Sequence, residues 1–128
     1  MLALALPACG RSEVAQEADR IARAADRVRD APNDPVDARR DLLAKLAAEP
    51  AKDPAALAAR DACVAAYTPF LEGQTLEAKV RGSLAGSPGE VNLETLAELG
   101  QAEAMLEQAK LKMPECDRSL HDLKHEHR

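Results

Sequence analysis

Apolar positions recur along this chain with the period of helices, and four stretches carry the pattern. Val14, Ala18, Ile21, Ala25 and Val28 follow one another at steps of four and three residues, the spacing of one helix face. Ser12 stands where its hydroxyl can accept from free N–H groups of a first turn, with Glu13 near the positive end of the helix dipole. A first helix is therefore expected from there to about Asp30. Ala31-Pro32-Asn33-Asp34-Pro35 ends it, because two prolines so close together cannot continue a helix. A second helix should start at Pro35 with Asp34 as its cap, bury Val36, Leu43 and Leu46, and close at Glu49-Pro50. Asp53-Pro54 repeats the same start signal. The third helix then carries Leu57, Val64, Tyr67 and Leu71 on one face. Pro69 is expected to kink it, or to begin a new helix capped by Thr68. The apolar phase slips after Leu71, and Leu76, Val80 and Leu84 resume it, so a bend or short break is expected around Gly73 to Thr75.

Gly86-Ser87-Pro88-Gly89-Glu90 is the strongest punctuation in the chain. Ser87 with Glu90 reads as a capping box and Pro88 as a first helical position, with Gly86 ending the helix before it. The fourth helix has a seam of Leu99, Ala102, Leu106, Ala109, Met113, Cys116, Leu120 and Leu123, alternating steps of three and four through Pro114. Folding the third and fourth helices back about the Gly86–Gly89 turn sets Leu84 against Leu93, Val80 against Leu96 and Leu99, and Leu71 against Leu106. The two stripes agree in register, which supports an antiparallel hairpin.

Composition narrows the class without deepening the core. The 128 residues suffice for one domain, and 46% of them are apolar, but alanine alone fills 27 positions. Tyr67 and Phe70 are the only aromatic residues and tryptophan is absent. Alanine buries little area, so at about 25 cal/mol per Å² this core gains less than its apolar fraction suggests. Strand formers are scarce and nowhere alternate, which makes the fold class all-α: a small helical bundle of about four helices, the last two a long antiparallel hairpin. The net charge is −5, and basic and acidic residues interleave between Arg11 and Asp30. No one-signed basic stripe exists for nucleic acid, nor a basic amphipathic helix for a membrane surface.

The N-terminus is different in kind. Met1 to Ala8 is an uncharged, mostly apolar run that ends at Cys9 and gives way at once to polar sequence. It is too short to span a bilayer, which takes roughly 20 apolar residues. Leu6-Pro7-Ala8-Cys9 resembles the lipobox of bacterial lipoproteins: Leu6 matches the branched apolar residue, Ala8 the small residue before the cysteine, and Cys9 the lipidated residue. The resemblance implies cleavage before Cys9, a diacylglycerol on its sulfur and an acylated new N-terminus, and it says nothing of the mature domain. The chain is then expected to divide into a truncated signal peptide over 1–8 and a single helical domain over 9–128, with a short flexible N-terminal anchor and a frayed C-terminal tail. Gly10 after the cysteine favours the outer membrane, periplasmic face, in a diderm host.

With Cys9 acylated, two thiols remain, Cys63 and Cys116. In an exported protein an even remainder favours a disulfide. The Gly86–Gly89 register leaves the pair one helical turn out of step, roughly 6 Å at ~1.5 Å per residue, which a kink at Pro69 or Pro114 would absorb. Two buried free cysteines are the alternative. The histidines cluster at the end, as His121, His125 and His127. His121 and His125 are one turn apart and resemble the HExxH motif of zincins, with Asp122 where that motif has glutamate. Two ligands leave a zinc site incomplete unless Glu115, Asp117 or His127 joins. The serines lack a nucleophile-elbow setting and the glycines do not form a phosphate-cradling loop. The expectation is a lipid-anchored envelope protein with a structural or protein-interaction role. It is no enzyme, takes no cofactor, nucleic acid or evident small molecule, and is held to the membrane by the lipid on Cys9. The alternatives are an envelope metal-binding or stress-sensing protein using the histidines, and a cytosolic helical protein without an anchor.

Overall fold

The computed structural model describes residues 12–86, 89 and 92–126. They form four helices, α1 Glu13–Asp30, α2 Val36–Ala48, α3 Pro54–Gly86 and α4 Leu93–Glu126, and among the described residues there is no strand. The fold is an all-α bundle in which α3 and α4 make a long antiparallel hairpin. α1 and α2 lie against the half of the hairpin farther from its connection. The core there joins Ile21, Ala25 and Val28 of α1, Leu46 of α2, Ala59, Cys63 and Leu71 of α3, and Cys116, Leu120 and Leu123 of α4.

Most element ends follow from the local chemistry. Ser12 Oγ accepts from the Ala15 N–H at 3.1 Å, and α1 buries Ala18, Ile21, Ala25 and Val28 while Val14 stays exposed. Asp53 Oδ2 accepts from the Ala55 and Ala56 N–H groups at 3.2 and 3.3 Å and so caps α3. Two expected starts are corrected. Pro35 itself occupies the cap of α2 in extended backbone, without a side-chain hydrogen bond, so Asp34 does not cap it. α4 begins at Leu93 rather than Pro88, with Asn92 Oδ1 accepting from the Thr95 N–H at 2.8 Å. Gly89 has φ +90°, a conformation that a right-handed helix cannot run through. Ser87, Pro88 and Glu90 of the expected capping box lie outside the described residues.

α3 runs as one helix through Pro69 and through Gly73 to Thr75, so no new helix begins after Thr68 and no break falls at Gly73 to Thr75. A proline inside a helix costs about 3 kcal/mol and a glycine about 1 kcal/mol against alanine. Both residues are buried against neighbours, and such packing outweighs local preference. The Thr68 hydroxyl donates to the Val64 carbonyl at 2.7 Å and the Thr75 hydroxyl to the Leu71 carbonyl at 2.8 Å, placing both polar groups without leaving the helix.

The later start of α4 moves the hairpin register. The connection runs from Gly86 to Leu93, so its centre falls later in the chain than the Gly86–Gly89 turn. Gly73 then packs on Leu106 and Ala102, and Lys79 pairs with Glu98. Leu93 does not pack on Leu84: it is 85% exposed, and Thr95 is the buried residue of that turn. Cys63 and Cys116 fall in the same register as Gly73 and Leu106.

Candidate functional site

The two cysteines meet where all the core layers converge. Cys63 of α3 and Cys116 of α4 form a disulfide with Cα atoms 4.5 Å apart, at 0% and 1% exposure. Such closeness needs small neighbours, and Ala56, Ala59 and Ala66 on α3 with Ala109 on α4 supply them, all essentially buried. The bond joins two helices across a sequence separation of 53. It thereby holds the hairpin against sliding at the level where α1 also packs.

Two charged residues that the apolar pattern does not reveal fasten α1 and α2 to this hairpin. Arg39, on α2, is buried, with neutral partners around its guanidinium. Its Nε donates to the Val28 carbonyl at 2.9 Å and its Nη2 to the carbonyls of Arg29 and Ala31. Its Nη1 donates to Asn33 Oδ1 at 2.8 Å, and its Cζ lies over the Phe70 ring, 5.4 Å from the ring centre. The positive charge thus sits on the carbonyl end of α1, where the helix dipole is negative, and against an aromatic face. Glu17, buried on α1, accepts from the Lys52 N–H at 2.6 Å and the Asp53 N–H at 2.9 Å, tying α1 to the start of α3. Those bonds, Asp53 first and Lys52 next, hold its carboxyl below the usual carboxylate range. A stripe search sees Arg39 and Glu17 as solvated charges. The one sequence signal was position: Arg39 falls between Val36 and Leu43 on the inward face of α2, and Glu17 lies next to buried Ala18.

The histidine pair lies on the solvent side of α4. His121 and His125 have ring centres 3.9 Å apart, and His125 Nδ1 lies 2.9 Å from the His121 carbonyl oxygen. Glu115 pairs with Arg118 rather than turning toward the histidines. Among the described residues no three His, Cys, Asp or Glu side chains gather as metal ligands would. His127 lies outside the described residues. α4 remains helical through this segment to Glu126, held by buried Leu120 and Leu123 and by Lys124 Nζ, 3.1 Å from Asp26 Oδ1 on α1.

A shallow depression of about 280 Å³ between α1 and α2 is lined by Ala24, Arg27, Leu42, Lys45, Ala48 and Glu49. Arg27, Lys45 and Glu49 surround it together with the apolar side chains of Ala24, Leu42 and Ala48. The larger apolar exposure is on α4, where Leu93 is 85%, Leu96 52% and Leu111 74% exposed. Cys9 and the rest of the lipobox-like segment lie outside the described residues. No known protein family, curated protein or solved structure matches this chain.

Proposed function

We propose that the chain is a lipid-anchored helical protein of the bacterial cell envelope that works through protein contacts, in a structural or accessory role, without catalysis. The observation that carries the reading is the buried Cys63–Cys116 bridge. Structural disulfides persist in oxidising compartments and are rare in the cytosol of most organisms. The Leu6-Pro7-Ala8-Cys9 segment supports it independently, since it resembles the signal that delivers a protein to such a compartment. No helix among the described residues is long and apolar enough to cross a membrane. In this reading the lipid on Cys9 is the attachment, on the periplasmic face of the outer membrane in a diderm host.

The test is metabolic labelling of the expressed chain with radioactive palmitate, with fractionation of the same cells. Label in the membrane fraction that Cys9→Ser abolishes is the expected result. An unlabelled chain that fractionates with the cytosol overturns the reading. The stacked His121–His125 pair favours a second reading, an envelope metal-binding or stress-sensing protein. Calorimetric titration with zinc and copper separates the two, because the second requires heat of binding that His121→Ala removes.

A further inference from the structure

We propose that α4 associates with α4 of a second copy of this chain, antiparallel, through the helix face opposite the hairpin seam. The buried seam of α4 runs through Thr95, Ala102 and Ala109. At 3.6 residues per turn the opposite line carries Leu93, Ala97, Gly100, Ala104, Glu107 and Leu111. Every one of these is exposed, and their alternating steps of four and three are those of a helix–helix contact. Leu93 and Leu111 are five turns apart on that line, about 27 Å at 1.5 Å per residue. Ala97, Gly100 and Ala104 between them are small enough for two helices to approach closely, and a Cβ on Gly100 would meet nothing within 4 Å in the single chain.

One antiparallel register satisfies this face, with its two-fold axis between Gly100 and Ala104. Leu93 then meets the partner's Leu111, Gly100 meets the partner's Ala104, and Glu107 lies over the partner's Ala97. On the flanks, Glu94 falls between the partner's Gln108 and the partner's Lys112, and the Lys110 stem covers the partner's Leu96. Opposite charges therefore meet twice, once at each end, Glu103 stands beside the partner's Glu103 on one flank at the two-fold axis, and the most exposed leucines are covered. A parallel arrangement would instead set Glu107 against its own copy inside the contact. That clash lies on the contact line itself, whereas the Glu103 pair of the antiparallel arrangement lies on the solvent-exposed flank, so the antiparallel direction is favoured, and two-fold symmetry closes the assembly at two chains. The proposal does not depend on lipidation of Cys9.

The experiment is sedimentation equilibrium of the full chain carrying Cys9→Ser, which excludes dimers bridged through that thiol. The expected species has twice the 13.7 kDa chain mass. Leu111→Glu should weaken association about tenfold or more, and Glu94→Lys should weaken it by setting like charges together. Combining Glu94→Lys with Lys112→Glu should restore it. Circular dichroism establishes that each variant keeps its helices. A monomer at about 100 µM, which excludes even modest affinity, overturns the proposal. So does a dimer indifferent to Leu111→Glu, the result expected if residues 1–8 hold the copies together. Failure of the charge swap to rescue overturns the antiparallel register.

Discussion

Gly73→Ala and Gly82→Ala make the same chemical change inside the same helix and should move stability in opposite directions. Alanine gains about 1 kcal/mol over glycine in a helix interior. A Cβ on Gly82 meets nothing within 4 Å, so Gly82→Ala should stabilise by roughly 0.5–1 kcal/mol. A Cβ on Gly73 would fall 2.7 Å from Leu106 Cγ, 2.9 Å from its Cδ2 and 3.1 Å from the Ala102 carbonyl oxygen. The leucine can rotate away in part. The carbonyl moves only if α4 moves, and the Cys63–Cys116 bridge pins α4 nearby. Overpacking of this kind costs about 1–3 kcal/mol, so after the propensity gain Gly73→Ala should lose about 1 kcal/mol net. The two variants should differ by about 2 kcal/mol. Urea unfolding of the oxidised chain, read as a shift of midpoint at unchanged slope, measures this. Adding Leu106→Ala to Gly73→Ala should remove the clash, which a double-mutant cycle reports as a coupling. Equal stabilisation by both substitutions would show that α3 and α4 do not touch at Gly73 and that the hairpin register is wrong.

Cys63→Ala with Cys116→Ala opens a loop of about 54 residues and should cost ~4 kcal/mol in the chain-entropy account. The melting midpoint should fall by roughly 10–20 °C, and intact mass after alkylation without reductant should show neither cysteine modified in the parent chain. Arg39→Ala should destabilise by ~3 kcal/mol, because it strands the α1 carbonyls it serves. Arg39→Lys should recover little in the same urea assay, since one ammonium cannot reach acceptors spread across a guanidinium. Glu17 has its folded pKa lowered, so the stability it adds is present above the usual carboxylate range and is lost as pH falls through the folded value. Glu17→Gln should flatten that acid limb of a midpoint-against-pH profile while lowering the midpoint at neutral pH.

The helices themselves were legible because they depend on apolar spacing and on punctuation by Ser12, Asp53-Pro54 and the paired prolines. The register was legible to within one helical turn. The remaining turn was hidden in where α4 starts, and the eye-catching Ser87-Pro88 signal lost to Asn92 because Gly89 takes a positive φ between them. Pro69 and Gly73 misled for a related reason. Local preference reads them as breaks, but both are buried, and the neighbours that override them come from elsewhere in the chain. Arg39 and Glu17 were illegible as anchors, since a charge is read as solvated unless its backbone partners are known. The exposed α4 line could have been found. Leu93 and Leu111 repeat at whole turns, and a search for a second stripe opposite the first would have separated Leu93 from the hairpin seam.

These points join in one physical argument about an alanine-rich hairpin. Small side chains bury little area each, so such a core cannot draw on large aliphatic contacts in the usual way. What they permit is closeness: Cα atoms 4.5 Å apart at the bridge, and no room for a methyl group at Gly73. Stability then shifts to features that depend on closeness, namely the disulfide, the Gly73–Leu106 contact and the buried ties of Arg39 and Glu17. None of them draws on the outer face of α4. Folding is fastened through Cys116, Leu120 and Leu123 on one side of that helix, and association through Leu93, Gly100 and Leu111 on the other. The two faces should therefore be separable. Leu111→Glu should leave the unfolding of the isolated chain nearly unchanged while weakening its pairing, whereas Leu123→Ala should weaken the fold first and pairing only as a consequence.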